Sequence, residues 1–167
     1  VKLLGKTLKA PVIIAAMTGG TARAGEINRQ LAAIAEQRGY GFGLGSQRAM
    51  FVDESRSASF KIRDVAPNAL LLGNVGVVQA RAMSVAQLED LVNTVGADAL
   101  CVHLNPAMEM VQPGGDRDFS GGLDTLAKLS AEISRPVIAK ETGCGLSTSV
   151  AERLISRGIR HVDVSGA

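Results

Sequence analysis

The chain has 167 residues, of which 46% are hydrophobic and 20% charged, a composition typical of globular proteins and unlike that of disordered or collagen-like chains. Its 18 basic and 16 acidic residues are interspersed, so charge alone does not predict binding to nucleic acid. With no tryptophan, one tyrosine and four phenylalanines, the chain also offers few rings for stacking on bases.

The sequence contains no uncharged apolar run long enough to span a membrane, and residues 1–14 do not resemble a signal peptide. We therefore expect a soluble, cytoplasmic protein with no membrane partner. Cys101 and Cys144 lack the CxxC spacing of zinc and redox sites, so we expect reduced thiols and not a disulfide framework.

Six short, apolar, β-branched segments, each closed by glycine or polar residues, predict buried strands. They begin at Pro11, Tyr40, Ala69, Ala99, Pro136 and His161. Between them lie helical patterns with apolar residues three and four apart: EINRQLAAIAEQR, a weaker one around SASFKIRDVA, then SVAQLEDLVNTV, LDTLAKLSAEI and SVAERLISRG. Alternating buried strands and amphipathic helices predict an α/β fold with a parallel sheet covered by helices.

The spacing of the strands favours one particular α/β architecture. Strand starts lie roughly 24 to 38 residues apart, and a (β/α)8 TIM barrel of about 250 residues allots about 31 to each unit. Residues 1–167 are thus predicted to form a single, incomplete barrel domain with about six βα units. The alternative is an open doubly wound sheet, because six units leave two sheet edges unpaired.

Polar side chains follow the first three predicted strands, at the ends where parallel barrels place their active sites. Thr18, in Met17-Thr18-Gly19-Gly20, either offers its hydroxyl to a ligand or caps the next helix. Ser46, Gln47 and Arg48 combine a hydroxyl, an amide and a guanidinium, which suit an anion such as phosphate. Asn74 contacts a ligand in one interpretation and is held in a turn by its own backbone in the other.

The fourth strand end carries the densest group of candidate residues. Alternation along the strand predicts that His103 and Asn105 point to the same side, where they could bind or polarise a substrate. Glu109 follows closely and offers a hard oxygen ligand, and Mg²⁺ is commonly held by one carboxylate with substrate oxygens and waters. A structural role for a lone histidine is the alternative.

The last two strand ends add a cation and a glycine-rich segment. Lys140 leaves a buried strand and must be paired or hold a negative ligand, because burying an unpaired charge is costly. Residues 143–147 form either an anion-binding nest or, as we favour, a turn with Ser147 as helix N-cap. Ser165-Gly166 could begin a phosphate loop. Motifs of the GxGxxG, GxxxxGK[ST], GxSxG and HExxH types are absent.

Together, these segments resemble the type 2 isopentenyl diphosphate isomerases, which are flavin-dependent (β/α)8 barrels. The similarity runs in order along nearly the whole chain. It is carried by Ala16-Met17-Thr18-Gly19-Gly20, Gly45-Ser46-Gln47-Arg48, Gly73-Asn74, His103-Leu104-Asn105-Pro106 with Glu109, Gly115-Asp116-Arg117-Asp118-Phe119, Lys140-Glu141 with Gly143, and Asp163-Val164-Ser165-Gly166.

The resemblance implies interconversion of isopentenyl and dimethylallyl diphosphate with reduced FMN and Mg²⁺, with NADPH as electron source and a homo-oligomeric assembly. It implies FMN contacts from Ala16, Met17, Thr18, Ser46, Asn74, Lys140 and Ser165. It implies substrate contacts from Ser46, Gln47, Arg48, His103 and Asn105, and a metal contact from Glu109. Lys140, His103 and Asn105 are the candidate catalytic residues.

The chain departs from the family pattern at Met108, where the family usually has a glutamine that contacts substrate. A thioether cannot donate or shuttle a proton, so this change bears on activity and substrate choice. The family's N-terminal Arg-Lys segment and its later glycine-rich flavin phosphate loops are also missing from residues 1–167. If these residues are the entire polypeptide, we expect no closed barrel and no catalysis. Two alternatives therefore stay open: an FMN-dependent barrel oxidoreductase of the 2-hydroxy-acid oxidase type, and a noncatalytic flavin- or prenyl-diphosphate-binding protein or fragment.

Overall fold

The computed structural model describes residues 1–165 and confirms the predicted α/β class. Its strands are β1 (Lys2–Leu3), β2 (Lys6–Thr7), β3 (Ile13–Ile14), β4 (Gly41–Gly43), β5 (Leu70–Gly76), β6 (Ala99–His103), β7 (Val137–Lys140) and β8 (His161–Asp163). Strands β1 and β2 form a small antiparallel hairpin, and β3 to β8 form one six-stranded sheet in chain order. All six predicted strands are therefore present, but the predicted burial is wrong for β3 and β8, whose residues are half-buried or exposed.

Helices separate the strands of the larger sheet. They are α1 (Ala22–Arg38), α2 (Arg48–Val52), α3 (Val77–Ala82), α4 (Val85–Val95), α5 (Pro106–Val111), α6 (Gly122–Glu132) and α7 (Thr148–Ser156), with a 3₁₀ helix at Glu54–Phe60. The pairs β3–β4, β4–β5 and β7–β8 are parallel. Parallel neighbours joined through helices are the repeating unit of (β/α)8 barrels. Closure into eight strands stays a prediction.

The chain packs into two compact units. The first unit comprises Val1–Asn74 and Asp90–Leu100, and the second comprises Val75–Glu89 with the described residues from Cys101 on. Phe42, Leu44, Phe60, Ile62, Leu70 and Leu71 are almost fully buried in the first unit, as are Leu126, Leu129, Leu154 and Ile159 in the second. Each unit thus has its own apolar core.

Helix α1 illustrates how local sequence sets the boundaries of an element. The Thr21 side chain accepts a hydrogen bond from the Ala24 backbone N–H at 3.1 Å, which caps the first turn. At the other end Gly39 has φ 67° and donates its N–H to carbonyls of the last turn, a conformation that favours glycine. Thr21, and not Thr18, is therefore the helix cap.

A half-buried ion pair lies at the amino ends of strands of the first unit. Arg63 contacts Asp98 at 2.8 Å and also donates to the backbone oxygens of Gly96 and Ala69 at 2.8 Å each. Asp98 in turn accepts from the Leu71 N–H at 2.8 Å. Because both charges are satisfied by several hydrogen bonds, the pair fixes the start of β5 without leaving an orphaned group.

The sequence missed or misassigned several short elements. The β1–β2 hairpin turns through Leu4 and Gly5, both with positive φ, but strands of two residues are too short for an alternation pattern. Helices α2, α3 and α5 have five or six residues, less than two turns, and give no helical period. The helix expected around SASFKIRDVA is wrong: a 3₁₀ helix begins after Asp53, whose carboxylate accepts from the Ser55 N–H.

Candidate active site

The end of β3, in the first unit, lies against two glycines that follow or end β4. A Cβ atom at Gly45 would lie 2.5 Å from the Thr18 carbonyl, and one at Gly43 would lie 3.1 Å from the Ala16 nitrogen. Gly45 also donates its N–H to the Thr18 oxygen at 3.2 Å. The close approach at Gly45 therefore requires glycine. Met17 projects outward and is 80% exposed.

Asn28 fixes this segment from helix α1. Its amide donates to the Thr18 oxygen at 3.1 Å and to the Ser59 oxygen at 3.0 Å, although the side chain is buried. The Ser59 hydroxyl accepts from the Gly20 N–H at 2.8 Å. Sequence reasoning did not single out Asn28. The available signal was a polar residue on the same helix stripe as Ala24, Ala32 and Ala35.

Gln47, a predicted substrate contact, is fully buried and hydrogen-bonded inside the first unit. Its amide nitrogen donates to the Leu91 oxygen at 2.9 Å and to the Met50 sulfur at 3.3 Å. Its side-chain oxygen accepts from the Asn74 N–H at 3.0 Å, and its backbone N–H donates to the Asn74 oxygen at 2.8 Å. A contact from Gln47 to a ligand would require one of these bonds to break.

Asn74 is also buried and lies within β5, not in a turn after it. Its amide donates to the Leu44 oxygen at 3.0 Å, so it links β5 to the segment that follows β4. On either side of Gln47 lie Ser46, which is half-buried, and Arg48, the exposed first residue of α2. Arg48 and Ser46 are the residues of this strand end with side chains near solvent.

His103 ends β6 in the second unit and lies in a partly dehydrated environment. Burial lowers the pKa of His103 to about 4; the Lys140 ammonium acts in the same direction, and Glu109 acts against them. The imidazole is thus neutral at pH 7. A Cβ atom at Gly76 would lie 3.0 Å from the His103 Nε2 and 2.0 Å from the Gln79 side-chain oxygen, so glycine is needed beside these side chains.

Asn105 does not continue the strand alternation, which corrects the sequence expectation. Strand β6 ends at His103, and Asn105 has φ 51° as the residue before α5. The Thr142 hydroxyl donates to the Asn105 side-chain oxygen, and the Asn105 amide donates to Glu109 at 3.4 Å. Thr142 is therefore a contact that the sequence gave no reason to expect.

Glu109 anchors the segment between α5 and α6. One of its carboxylate oxygens accepts from the Gln112 amide at 2.7 Å and from the Asp116 N–H at 2.8 Å. Gln79 and Arg81 of α3 hold the same segment, through Asp116 and through Asp118 with Ser120 respectively. Neither residue was predicted, because α3 itself gave no sequence signal.

Lys140 ends β7, is half-buried, and has unused donor capacity. Among residues 1–165 its ammonium makes one hydrogen bond, at 3.4 Å to the Glu141 backbone oxygen, whereas an ammonium has three donors. The register pairs Lys140 with Asp163 of β8. A half-buried cation with spare donors suits an anionic ligand.

Glu141 occupies the anion nest that the glycine-rich segment offers. Its buried carboxylate accepts from the N–H groups of Thr142, Gly143 and Cys144 at 2.8, 3.1 and 2.8 Å. The Ser147 hydroxyl accepts from Val150 and caps α7. The segment is thus a turn stabilised from within. Ser165 donates its N–H to Asp163 at 3.1 Å, and Gly166 lies outside the described residues.

The side chains at the strand ends can be compared with what Mg²⁺ and FMN, the two groups that the resemblance implies, need as binding partners. The described residues contain no cluster of three or more His, Cys, Asp or Glu side chains placed to hold a metal. A single carboxylate at Glu109 fits an ion held mainly by substrate oxygens and water, the usual arrangement for Mg²⁺. Lys140 fits an anionic cofactor or substrate.

Residues 1–165 include no helix with the length and apolar character needed to cross a bilayer.

Comparison with solved structures supports the fold. The chain matches an aldolase, QR15, with a TM-score of 0.61 and 14% identity, over 95% of this chain and 70% of the other. It matches a mandelate oxidase mutant with (S)-mandelic acid with a TM-score of 0.63 and 14% identity, over 97% of this chain and 49% of the other. At such identity the likeness extends to the fold alone.

Sequence comparison reveals much closer relatives, although no family model matches. Proteins named isopentenyl-diphosphate delta-isomerase are 48% identical in Mycolicibacterium vanbaalenii, 46% in Methanosarcina mazei and 44% in Pyrococcus horikoshii. The alignments cover 99%, 100% and 99% of this chain, but 48%, 46% and 47% of those proteins. The chain thus spans about half the length of the curated relatives it matches.

Proposed function

We propose that this chain is part of an isopentenyl-diphosphate delta-isomerase of the flavin-dependent type 2. The observation that carries the proposal is identity of 44 to 48% over essentially the whole chain to relatives that bear the isomerase name. The reaction name comes from these relatives. The flavin-dependent type, and a complete (β/α)8 barrel, rest on the family pattern at the strand ends.

The diphosphate is the most demanding part of the substrate, because its charge must be neutralised. In the first unit, the exposed Arg48 supplies a guanidinium that can donate to two phosphate oxygens at once, and Ser46 adds a hydroxyl. Gln47 would act indirectly. Its side-chain bonds to the Asn74 N–H and the Leu91 oxygen hold the segment that carries Ser46 and Arg48. We assign Gln47 a positioning role.

In the second unit, His103, Asn105 and Lys140 are the proposed contacts to substrate or cofactor. A neutral His103 can donate through one ring nitrogen and accept through the other. The Thr142 hydroxyl orients the Asn105 amide, and Glu109 accepts from it. Lys140 would hold negative charge on a bound group, since its ammonium has donors to spare.

Mg²⁺ and reduced FMN would complete the chemistry. Glu109 would contribute one carboxylate to Mg²⁺, which would neutralise diphosphate charge. Reduced FMN would supply acid–base chemistry to the allylic carbons. The residues proposed to bind it are Thr18, Ser46 and Asn74 of the first unit and Lys140 of the second. Isomerisation adds one proton and removes one, so no net oxidation occurs and NADPH would serve only to reduce the flavin. Homo-oligomeric assembly and a cytoplasmic location belong to the same proposal.

The direct test is an anaerobic assay of the full polypeptide that contains residues 1–167, with isopentenyl diphosphate, FMN, Mg²⁺ and NADPH in deuterated water, followed by NMR. We expect dimethylallyl diphosphate that carries deuterium and forms in large excess over the NADPH consumed. Product must disappear when either FMN or Mg²⁺ is omitted. Turnover without Mg²⁺ at one NADPH per product would favour an oxidoreductase, and no turnover would contradict the isomerase proposal for this chain.

A noncatalytic binding protein is the second candidate, and Met108 is the observation that favours it. This residue stands where the family has glutamine, and its side chain is 55% exposed on α5. Met108→Gln should raise the isomerisation rate of an impaired enzyme by about 10²-fold or more, within the ~10²–10⁴-fold range of acid–base contributions. A binding protein would gain no activity, and Met110→Gln, at a similarly exposed position, is the matched control.

A further inference from the structure

A cavity lies within the second unit, and the proposed isomerase chemistry does not use it. Its volume is about 440 Å³, within the ~300–1,000 Å³ of small-molecule pockets. The apolar part of the lining comes from Val77, Leu104, Phe119, Leu126, Val150 and Leu154. Such a surface can take up a hydrocarbon group.

The cavity lies on the opposite side of the β6 chain from His103. The Leu104 N–H donates to the Lys140 oxygen at 2.8 Å, so strand pairing continues one residue beyond the end of β6. Successive side chains of a paired strand point to opposite faces. Leu104 lines the cavity, and His103 therefore points away from it.

Arg153 of α7 and Arg157, the residue that follows this helix, give the cavity its charge. Val150, Arg153, Leu154 and Arg157 all line it, at the three- and four-residue spacing of one helix face. Arg157 is paired with Asp124, another lining residue. Arg153 forms no ion pair with any residue in the described range 1–165. The lining therefore carries one excess positive charge on an otherwise apolar surface.

We propose that this cavity binds an aliphatic chain that ends in an anionic group, a carboxylate or a phosphate. The hydrocarbon lies on the apolar lining, where its burial excludes water. The anionic end pairs with Arg153, whose planar guanidinium can donate two parallel hydrogen bonds to either head group. The site is independent of the proposed isomerase activity.

Isothermal titration of the protein with octyl phosphate and with octanoate tests the proposal, with 1-octanol and inorganic phosphate as partial ligands. We expect one saturable site for at least one of the two anions, and the tighter of them identifies the head group. Each partial ligand should bind at least about tenfold more weakly, because each lacks one of the two interactions. Absence of saturable binding by both anions would overturn the proposal.

Substitutions locate the site. Arg153→Gln, at an exposed position, should weaken binding of the anion at least about tenfold and leave the circular dichroism melting curve unchanged. Val150→Trp should block binding by filling the cavity, with folding checked by the same melting curve. Arg160→Gln, an exposed arginine outside the lining, is the matched control. Binding that survives both Arg153→Gln and a folded Val150→Trp would overturn the assignment.

Discussion

Two strand ends with similar polar sequences use their side chains differently. After β4, Gln47 is fully buried, and both its amide donors and its oxygen are bonded within the first unit. At the end of β7, in the second unit, Lys140 is half-buried and makes one hydrogen bond of 3.4 Å among the described residues. The first arrangement fixes backbone segments, whereas the second leaves donors for another molecule.

The difference teaches that a polar residue at a strand end is not by itself a ligand contact. Its hydrogen-bond capacity must be compared with the bonds it already makes. Glu141, the neighbour of Lys140, is an example. Its buried carboxylate already accepts hydrogen bonds from three backbone N–H groups. We therefore expect Gln47 and Glu141 to affect stability, and Lys140 to affect ligand binding.

The largest effect is expected for Gln47→Ala. Truncation leaves the Leu91 oxygen and the Asn74 N–H without their partner and opens a cavity, so the free energy of unfolding should fall by about 2–4 kcal/mol. Urea unfolding followed by circular dichroism measures it. Gln37→Ala, at an exposed position of α1, should change it by less than about 0.5 kcal/mol. If Gln47→Ala lowers the free energy of unfolding only slightly but abolishes substrate binding, the substrate contact predicted for Gln47 would be supported instead.

A somewhat smaller loss is expected for Glu141→Gln. The neutral amide keeps one acceptor oxygen but adds two donors beside three N–H groups, so we expect a loss of about 1–3 kcal/mol in the free energy of unfolding. The same urea titration applies, with Glu152→Gln of α7 as the exposed control. Equal midpoints for the two variants would contradict the stabilising role of the Glu141 carboxylate.

His103 should make stability depend on pH. Its pKa is about 4 in the folded protein, against an ordinary value of 6.5, so between these values the unfolded state binds more protons. Stability from the neutral imidazole is therefore full above about pH 6.5 and is lost as the pH falls towards 4. From pH 7 to 5 we expect a loss of about 1–2 kcal/mol.

Unfolding titrations at pH 7 and pH 5 check this prediction. His103→Gln should remove the part of the pH dependence that comes from this imidazole, while His161→Gln, with His103 intact, should retain it. Lys140 and Glu109 are the charged groups that bear on His103. If the free energy of unfolding changes between pH 7 and pH 5 as much in His103→Gln as in the unaltered protein, other groups cause the pH dependence.

The sequence predicted the repeating features of the fold but not its irregular ones. The six strands and helices α1, α4, α6 and α7 contain periodic apolar residues, and periodicity is what a single sequence displays. The five- and six-residue helices and the two strands of the β1–β2 hairpin contain less than one full pattern. The 3₁₀ helix after Asp53 forms through a side-chain cap that competes with the α-helical pattern.

For the candidate site, the sequence located strand-end residues but not their bonding. Asn28, Gln79 and Thr142 form contacts with residues 10 to 37 positions away, which no local spacing reveals. Whether Gln47 faces a ligand or the core also depends on such contacts. The alternation argument failed at Asn105, because a left-handed residue ends the strand there.

Lys140 is the proposed contact to an anionic cofactor, whereas the buried Gln47 and Glu141 are expected to stabilise the fold. Titration of the protein with FMN, followed by flavin fluorescence, tests this most directly, with Lys140→Met compared against Lys128→Met, an exposed control on α6. We expect FMN affinity to fall at least about tenfold in Lys140→Met alone, with the free energy of unfolding changed by less than about 1 kcal/mol. Equal FMN affinity in both variants, or no FMN binding by the unaltered protein, would contradict the claim.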